Sequence, residues 1–358
     1  MHEKSATATR ARDSVRVAPP VEFGIVGFGL CLGEHQDLRQ VAGSYVHDPE
    51  RVLRWGYDGF HRAPTGVTSL QMAAEAAERA LAATGTDRAD VDLVVLAHSE
   101  MPDYHYWDSS AALSRELGIS GRQTLLLNEG CASGVTGLGV VAGLLAVQPE
   151  LRTVLYVAVN RVSEYHRNRL KVNSSVHSDG AVAAVLRRGH PHNRWLATAQ
   201  LTDPEYCDFF RGDFGAAAQP VVPEGWTSAT AVTGLQRVQE HFQRDPRRLR
   251  EFVDLLNARV VDVIERACAR AGVDTGDLAR FIYINDSPDS VGDVGRLLGL
   301  PIERSNAALA AVHGHMGGAD QLISLAEHLR RGELRPGDLV ALCGISIGMR
   351  WYCTLVEI

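Results

Sequence analysis

The sequence predicts a layered α/β fold, and two observations carry this prediction. Apolar, β-branched-rich runs alternate with segments of helical periodicity along most of the 358 residues. The order of these elements also restarts near the middle of the chain, after a polar and irregular stretch at 202–249. Alternating strands and helices are typical of sheets covered by helices. The repeated order therefore predicts two similar halves, at 19–190 and 191–358.

The first half contains several clear elements. Residues 21–30 form an apolar, glycine-punctuated run that predicts a strand, and Ser69–Thr84 carries apolar residues at helical spacing. The segment 134–147 is apolar on nearly all sides, which predicts a helix buried inside a large fold. The other predicted elements of this half are strands at 91–98, 123–128, Thr153–Asn160 and 181–186, and a helix at 108–117.

The second half follows the irregular stretch 202–249, which we interpret as a lid or an insertion because Gly, Pro and charged residues interrupt its periodicity. Its predicted helices are 251–271, 291–298 and 319–331, and its predicted strands are 281–285, 339–343 and 351–357. Residues 1–18 are polar and lack the apolar region of a signal peptide, so we expect a disordered tail there.

Composition argues against several classes of protein. The formal net charge of −7 and the scattered Lys and Arg residues predict no nucleic-acid partner. The longest apolar run, 135–147, is shorter than the ~18–20 residues that cross a bilayer, so we expect no membrane span and a cytoplasmic protein. The six cysteines are dispersed without CxxC pairs, which fits neither a disulfide framework nor a zinc ribbon. We expect no cofactor.

The strongest chemical signal is Cys131 in the segment 128–134, NEGCASG, where a predicted strand passes through a small-residue turn into a buried helix. A thiol at the N-terminus of a helix meets the positive end of the helix dipole and unpaired N–H groups, which favours the thiolate and can hold an oxyanion. Both effects suit acyl transfer. The alternative interpretation is that Cys131 is simply a buried small residue.

The second signal is the glycine-rich segment 312–320, VHGHMGGAD, which holds His313, His315 and Asp320 before a predicted helix. A neutral imidazole can take a proton from a thiol, and a carboxylate can fix its tautomer. These residue types predict a Cys131–His315–Asp320 triad. In one alternative the histidines face solvent and Asp320 caps the helix. In another the loop binds zinc, but the intervening glycines and the lack of further ligands argue against a metal.

Three further segments stand out along the chain: 125–138 (LLLNEGCASGVTGL), 178–186 (SDGAVAAVL) and 335–348 (RPGDLVALCGISIG) with Trp351. Taken together they resemble β-ketoacyl-ACP synthase III of the thiolase superfamily, and they occur in the family's order. The resemblance covers about 21–358. It implies a thiolase-like fold of two duplicated βαβαβαββ halves in five α-β-α-β-α layers. It also implies a homodimer whose cysteine accepts an acyl group from an acyl carrier protein (ACP) or coenzyme A thioester.

The sequence also departs from the family pattern. Members of the family use a Cys-His-Asn set, but the stretch that corresponds to their histidine motif, 281–287 (FIYINDS), contains no histidine. The position of the family's asparagine is occupied by His315. A divergent branch from natural-product pathways resembles this arrangement, with a Cys-His-Asp triad that corresponds here to Cys131, His315 and Asp320.

The departures favour transfer to oxygen or nitrogen. Decarboxylative condensation needs donors that hold an enolate oxygen, and Ile284 offers none, although the neighbouring Asn285 can. A hydroxyl or amine acceptor instead needs a general base, for which His315 is suited. We therefore predict an acyltransferase of secondary-metabolite biosynthesis with a small-molecule acceptor. The alternative is a decarboxylating starter-unit ketosynthase that uses malonyl-ACP. An idle partner subunit is a third possibility, and the presence of Cys131 argues against it.

The resemblance assigns further residues around the triad. It implies an oxyanion hole made by the backbone N–H groups of Cys131 and Ile347. It also places Tyr104 and Trp107 near the dimer interface and the substrate pocket, although clustered aromatic residues more often serve packing. We include Asn285 and His313 among the candidate pocket residues.

Overall fold

The computed structural model describes residues 21–171, 175–215 and 217–358. The predicted disordered tail at 1–18 lies outside the described residues. The strands are β1 (Phe23–Leu32), β2 (Glu34–Asp37), β3 (Gly59–Arg62), β4 (Leu93–His98), β5 (Gln123–Leu127), β6 (Thr153–Asn160), β7 (Gly180–Arg188), β8 (Arg194–Thr202), β9 (Leu278–Ile282), β10 (Leu339–Ser346) and β11 (Arg350–Glu357). The helices are α1 (Leu38–Tyr45), α2 (Pro49–Leu53), α3 (Ser69–Thr84), α4 (Ser109–Glu116), α5 (Ser133–Val147), α6 (Gly234–His241), α7 (Pro246–Ala271), α8 (Pro288–Leu298), α9 (Ala307–His313) and α10 (Asp320–Arg330).

Nine strands form one sheet in the order β5-β4-β6-β7-β1-β8-β11-β10-β9, and β2 pairs with β3 separately. In the first half, β1–β7 and β7–β6 are antiparallel and β6–β4 is parallel. In the second half, β8–β11 and β11–β10 are antiparallel and β10–β9 is parallel. The two halves thus repeat one topology. Within the sheet, the strands β1 and β8 of the two halves meet at the antiparallel pair Gly24 and Arg194.

The repeat is incomplete at one edge. β5 pairs with β4 in the first half, but within the described residues β9 has no strand on the equivalent side. Asn306 stands there instead, because its side chain accepts from the Tyr283 N–H at 2.9 Å and donates to the Tyr283 carbonyl at 2.9 Å. The second half therefore has four strands rather than the five that the family resemblance implied.

The layers form around the central helix α5. This helix contacts β4 and β6 of the first half as well as β8 and β11 of the second, and it packs against α10. The helix α3 covers the outer face of the first half, and α7 covers the outer face of the second half. The arrangement is α-β-α-β-α, as expected. It brings the turns that precede α5 and α10 together at the centre of the molecule.

The helix α5 and the turn before it form the segment Gly130–Val147, which by length and apolar composition could cross a membrane. The apolar run 135–147 predicted above is shorter, because it leaves out the small residues of the turn. Sixty-one per cent of this segment is buried inside the fold, between the two halves. Its apolar character is therefore explained by packing.

Several elements escaped prediction. The strand β8, the β2–β3 pair and the helix α9 were not predicted from the sequence, and α7 begins at Pro246, five residues before the predicted start. Asp245 explains this start, because its side chain accepts hydrogen bonds from the Arg247 and Arg248 N–H groups. The stretch 202–249 contains α6 and the beginning of α7.

Candidate active site

Cys131 lies in the short 3₁₀ turn Gly130–Ala132 that leads directly into α5. Gly130 has a φ of +59°, and a β-carbon there would lie 2.5 Å from Ile347 Cγ1, so this position requires glycine. The Tyr352 hydroxyl donates to the Cys131 carbonyl at 2.9 Å. The thiol is thus presented at the start of a buried helix by a turn that has little freedom to move.

Ser346 fixes the same turn from the neighbouring strand β10. Its hydroxyl donates to the Glu129 carbonyl at 2.8 Å and accepts from the Ala132 N–H at 3.2 Å. Because Glu129 and Ala132 flank Cys131 closely, these two bonds hold the backbone of the nucleophile segment against the second half of the fold.

The structure brings Cys131, His315 and Asp320 into one line of contacts. Cys131 Sγ lies 3.1 Å from His315 Nε2, and His315 Nδ1 lies 2.5 Å from Asp320 Oδ2. The backbone of His315 is held by a hydrogen bond from its N–H to the Val176 carbonyl at 2.7 Å. A thiol, an imidazole and a carboxylate in this order have the geometry of a nucleophile, a base and the group that orients the base.

Asp320 is fully buried at the first residue of α10. Besides facing His315, its carboxylate accepts from the Met316 N–H at 2.6 Å and from the Asn285 N–H at 2.8 Å. It makes no capping bond to the N–H groups of α10. Asp320 therefore does not act as a simple helix cap, which was the alternative interpretation.

The pKa of His315 reflects opposing influences. Burial alone lowers it, but the charges of Asp320 and Cys131 and the hydrogen bonds to both outweigh burial and raise the pKa well above its ordinary value. The imidazolium form is thus favoured while both partners are negatively charged. Such an imidazole can hold a thiolate before reaction and give up its proton to a leaving group afterwards.

The family resemblance assigned the oxyanion hole to the backbone N–H groups of Cys131 and Ile347. Both residues line the same cavity. Gly130 allows Ile347 to approach the nucleophile turn closely. Paired donors beside a nucleophile are the components of an oxyanion hole.

A cavity of about 480 Å³ opens above Cys131 and His315. Much of its wall is apolar and is formed by Phe210, Leu235, Val238, Leu249, Phe252, Val253, Leu256, Ile284, Ile345 and Ile347. Polar residues also line it, among them Arg167, Ser175, His177, Gln239, Asn257, Asp286, Ser290 and Asp293. Phe210, Leu235, Val238, Gln239 and Leu249 belong to the predicted lid or insertion, so this stretch contributes to the site.

The four other candidate pocket residues lie outside this cavity. Asn285 is fully buried, and its side chain donates to the Gly314 carbonyl and accepts from Asn306, both at 2.8 Å. Tyr104 is 64% exposed and packs edge-on against Trp107. His313 is the last residue of α9, and its Nδ1 lies 2.9 Å from His61 Nε2. Burial and the neighbouring His61 lower the pKa of His313 to about 4.

No cluster of three His, Cys, Asp or Glu side chains suited to a metal ion occurs at 21–171, 175–215 or 217–358. The His313–His61 pair and the His315–Asp320 pair lack a further ligand of the required type. In the segment 312–320, for which zinc binding was the alternative, His313 contacts His61 and His315 contacts Asp320.

Comparison with known proteins agrees with this architecture. The family described as 3-oxoacyl-[acyl-carrier-protein] synthase III matches residues 127–204, and its C-terminal counterpart matches residues 268–358. A β-ketoacyl-[acyl-carrier-protein] synthase III from Synechocystis is 27% identical over 93% of this chain and 97% of its own. The chain is a β-ketoacyl-ACP synthase III-like member of the thiolase superfamily.

Solved structures extend the likeness. A structure named ChlB3 and described as an acyltransferase has a TM-score of 0.81 and 25% identity, with 95% of this chain and 98% of that chain covered. The FabH enzyme of Pseudomonas aeruginosa, a 3-oxoacyl-ACP synthase III, has a TM-score of 0.75 and 23% identity, with 94% and 98% covered. The second of these shows a shared fold.

In this synthase III-like chain, sequence reasoning missed several residues of the site. Ser346 and Tyr352 hold the nucleophile turn, and Gln321 Nε2 donates to the Tyr352 hydroxyl at 2.8 Å. His177 lines the cavity, with its ring 5.2 Å from that of His315. One signal was present for His177, because it directly precedes the Ser178-Asp179-Gly180 turn that the family resemblance had singled out. Ser346 lies within the segment 335–348 that carried the resemblance, whereas Gln321 and Tyr352 lie in α10 and β11 with no local mark of function.

Proposed function

We propose that this enzyme is an acyltransferase that accepts an acyl group on Cys131 and passes it to a hydroxyl or amine. The observation that carries the proposal is the line of contacts from Cys131 Sγ through His315 to Asp320, at 3.1 and 2.5 Å. An oriented base beside the nucleophile suits an acceptor that must lose a proton as it attacks.

In the first half-reaction, Cys131 Sγ attacks the carbonyl of a thioester donor. The carbonyl oxygen becomes an oxyanion that the Cys131 and Ile347 N–H groups can stabilise. When the carbon–sulfur bond to the carrier breaks, the carrier thiolate takes the proton of His315. The products are a free carrier thiol, an acylated Cys131 and a neutral His315.

In the second half-reaction, a hydroxyl or amine attacks the acyl carbonyl. His315 Nε2 takes the proton of the attacking group, and the bond between the acyl carbon and Cys131 Sγ breaks. Asp320 stabilises the imidazolium that forms. The thiolate and imidazolium pair is then restored, so each cycle consumes one thioester and one acceptor and follows a ping-pong order.

The alternative is decarboxylative condensation. The similar protein from Synechocystis is named as a β-ketoacyl-ACP synthase, which supports this alternative. That reaction needs donors that stabilise the enolate of an extender unit. At the end of β9, Ile284 faces the cavity without a donor, and the Asn285 side chain is buried and engaged with Gly314 and Asn306. These contacts favour transfer to oxygen or nitrogen. The likeness to ChlB3, described as an acyltransferase, also supports it.

The donor and the assembly follow from the same family relationship. We propose an ACP or coenzyme A thioester as donor, because the relatives are named for acyl carrier protein. We also propose a cytoplasmic homodimer that acts in secondary-metabolite biosynthesis. Partly exposed apolar side chains support the dimer: Leu126 on the edge strand β5, and Val140 and Val147 on α5.

The test is to incubate the wild type and Cys131→Ala with acetyl, octanoyl and malonyl thioesters of coenzyme A and ACP, and to weigh the intact proteins. We expect an acyl adduct on the wild type and none on Cys131→Ala. The matched control is Cys207→Ala, which removes an exposed cysteine and should still acquire the adduct. If Cys131→Ala is also acylated, the proposal fails.

A second measurement separates the two candidate reactions. Malonyl-ACP is added to the acylated enzyme, and carbon dioxide and β-keto product are measured. We expect neither at a rate above that of Cys131→Ala. Cys131-dependent release of carbon dioxide with a β-keto product would establish the condensing enzyme instead.

A further inference from the structure

His177 forms part of the cavity wall next to the triad. Its backbone is fixed, because the His177 N–H donates to the Arg169 carbonyl at 2.9 Å and its neighbour Ser178 donates to the His315 carbonyl at 2.8 Å. The His177 ring meets the His315 ring edge to face, with centroids 5.2 Å apart. A molecule seated against His315 and Cys131 therefore also meets His177.

The Nδ1 atom of His177 is buried and has no hydrogen-bond partner within the described part of the chain, and the residue is only 5% exposed. Buried polar atoms in proteins are nearly always paired, so the group that Nδ1 faces decides the tautomer of the ring. The nearest carboxylate oxygen, Glu100 Oε1, lies 3.8 Å from Nδ1 and is held by Arg167 at 3.3 Å. The negative charge of Glu100 favours a proton on Nδ1, so the lone pair of the neutral ring lies on Nε2.

The surroundings keep His177 neutral. Burial lowers its pKa well below the ordinary value, and the positive charges of Arg167, His315 and Arg169 lower it further. A neutral ring with its proton on Nδ1 accepts a hydrogen bond at Nε2 and cannot repel the His315 imidazolium. His177 lacks the hydrogen-bonded carboxylate that His315 has, so it is not an equivalent general base.

The lining of the cavity contains both polar and apolar residues. Arg167, Ser175 and Asp286 lie with His177 among the polar lining residues, and the Ser175 hydroxyl donates to Asp286 at 3.2 Å. The lining contributed by α6 and α7 is largely apolar and includes Val238, Phe252, Val253 and Leu256. An acyl chain fits the apolar lining, and a hydrogen-bonding acceptor fits the polar lining.

We propose that His177 orients the acceptor by accepting a hydrogen bond at Nε2 from a second hydroxyl or amino group beside the attacking one. The preferred acceptors are then polyhydroxylated or amino-alcohol compounds. This inference rests on the proposed acyl transfer and specifies its acceptor. His177 acts by binding, and the proton of the attacking group still passes to His315.

The test compares two acceptors of equal chain length, 1-propanol and glycerol, at equal concentration. Enzyme is first acylated with whichever thioester loads Cys131, and the rates of ester formation and of hydrolysis by water are followed by mass spectrometry. We expect the wild type to prefer glycerol by about tenfold, as one added hydrogen bond predicts. In His177→Phe, which keeps a ring against His315, that preference should be lost.

Two further variants complete the experiment. His177→Gln retains an acceptor atom and should recover part of the preference, whereas His192→Phe changes an exposed histidine outside the cavity and should keep all of it. A structural role would slow acylation and transfer alike, so we expect the acylation rate of His177→Phe to fall far less than its transfer rate to glycerol.

The possible outcomes are distinct. If the wild type shows no preference for glycerol, forms no ester with either alcohol, or loses nothing in His177→Phe, the role of His177 is refuted while the acyl-enzyme remains established. Equal losses in acylation and transfer would likewise refute it. If no acyl-enzyme forms with any donor, the proposed function itself fails.

Discussion

Gly134 of α5 touches the backbone of Gly318, in the turn before α10, at the centre of the molecule. A β-carbon on Gly134 would lie 1.7 Å from the Gly318 carbonyl oxygen. Cys131 lies three residues before Gly134, and His315 lies three residues before Gly318. The backbone contact between two glycines therefore holds the turn of Cys131 close to the turn of His315.

Gly134→Ala should separate the two turns and uncouple Cys131 from His315. We expect a loss of stability on the order of 1–3 kcal/mol from overpacking, and loss of Cys131 acylation in the fraction that remains folded. Urea unfolding and intact mass measure the two effects. Gly143→Ala is the matched control, because nothing lies within 4 Å of a β-carbon at that position of the same helix. Equal effects at both glycines would contradict this role of the contact.

Asp320→Asn should reduce both catalysis and stability, in a pH-dependent way. The raised pKa of His315 contributes stability that is fully present below its unfolded value near 6.5 and is lost as pH rises through the folded value. Removing the Asp320 charge lowers that folded pKa. We therefore expect Asp320→Asn to destabilise the protein more at pH 6 than at pH 9, as measured by urea unfolding.

The control for Asp320→Asn is Asp262→Asn, which alters a surface pair with Arg266 on α7. Exposed pairs contribute about 0–1 kcal/mol, so this change should be small at both pH values. For activity we expect a loss on the order of 10²–10⁴ in kcat for Asp320→Asn, because the imidazole loses its orienting carboxylate. A destabilisation that is identical at pH 6 and pH 9 would exclude the ionic contribution.

Tyr352→Phe should loosen the nucleophile turn. The buried Tyr352 hydroxyl donates to the Cys131 carbonyl and accepts from Gln321, so its removal leaves buried groups with fewer partners. We expect a loss of about 1–3 kcal/mol in the free energy of unfolding. Tyr165→Phe, at a 62% exposed tyrosine, should change it little. The interpretation would be wrong if both variants unfolded at the same urea concentration.

Val253→Trp should shorten the acyl chain that the enzyme accepts. Val253 lines the cavity from α7 and is half exposed, so a larger side chain can enter the cavity without overpacking the core. We expect octanoyl transfer to Cys131 to slow by about tenfold while acetyl transfer is retained, because lost apolar burial affects the longer chain. Competition between the two thioesters, read by intact mass, measures this ratio.

The control for Val253→Trp is Val221→Trp, which adds the same bulk at a 76% exposed position that does not line the cavity. It should leave the octanoyl-to-acetyl ratio at the wild-type value. An unchanged ratio in Val253→Trp would indicate that the acyl chain lies elsewhere.

Local patterns were sufficient for much of the fold. The periodicity of Ser69–Thr84 and the apolar run Thr153–Asn160 predicted α3 and β6 with their observed ends, because each element buries a regular face. β8 was missed because its residues alternate less clearly, and it is held by pairing with β11. The start of α7 was missed because an Asp245 cap outweighs the polar composition that follows it.

The sequence by itself was sufficient to select Cys131, His315 and Asp320 as candidates, since a small-residue turn and a glycine-rich loop are local features. Only the tertiary structure decided which side chains line the cavity. His313 turns towards His61, Asn285 is buried behind the loop, and His177 reaches the cavity from a different strand connection. The physical reason is that side-chain direction depends on the packing of the two halves around α5, and residues distant in sequence supply that packing.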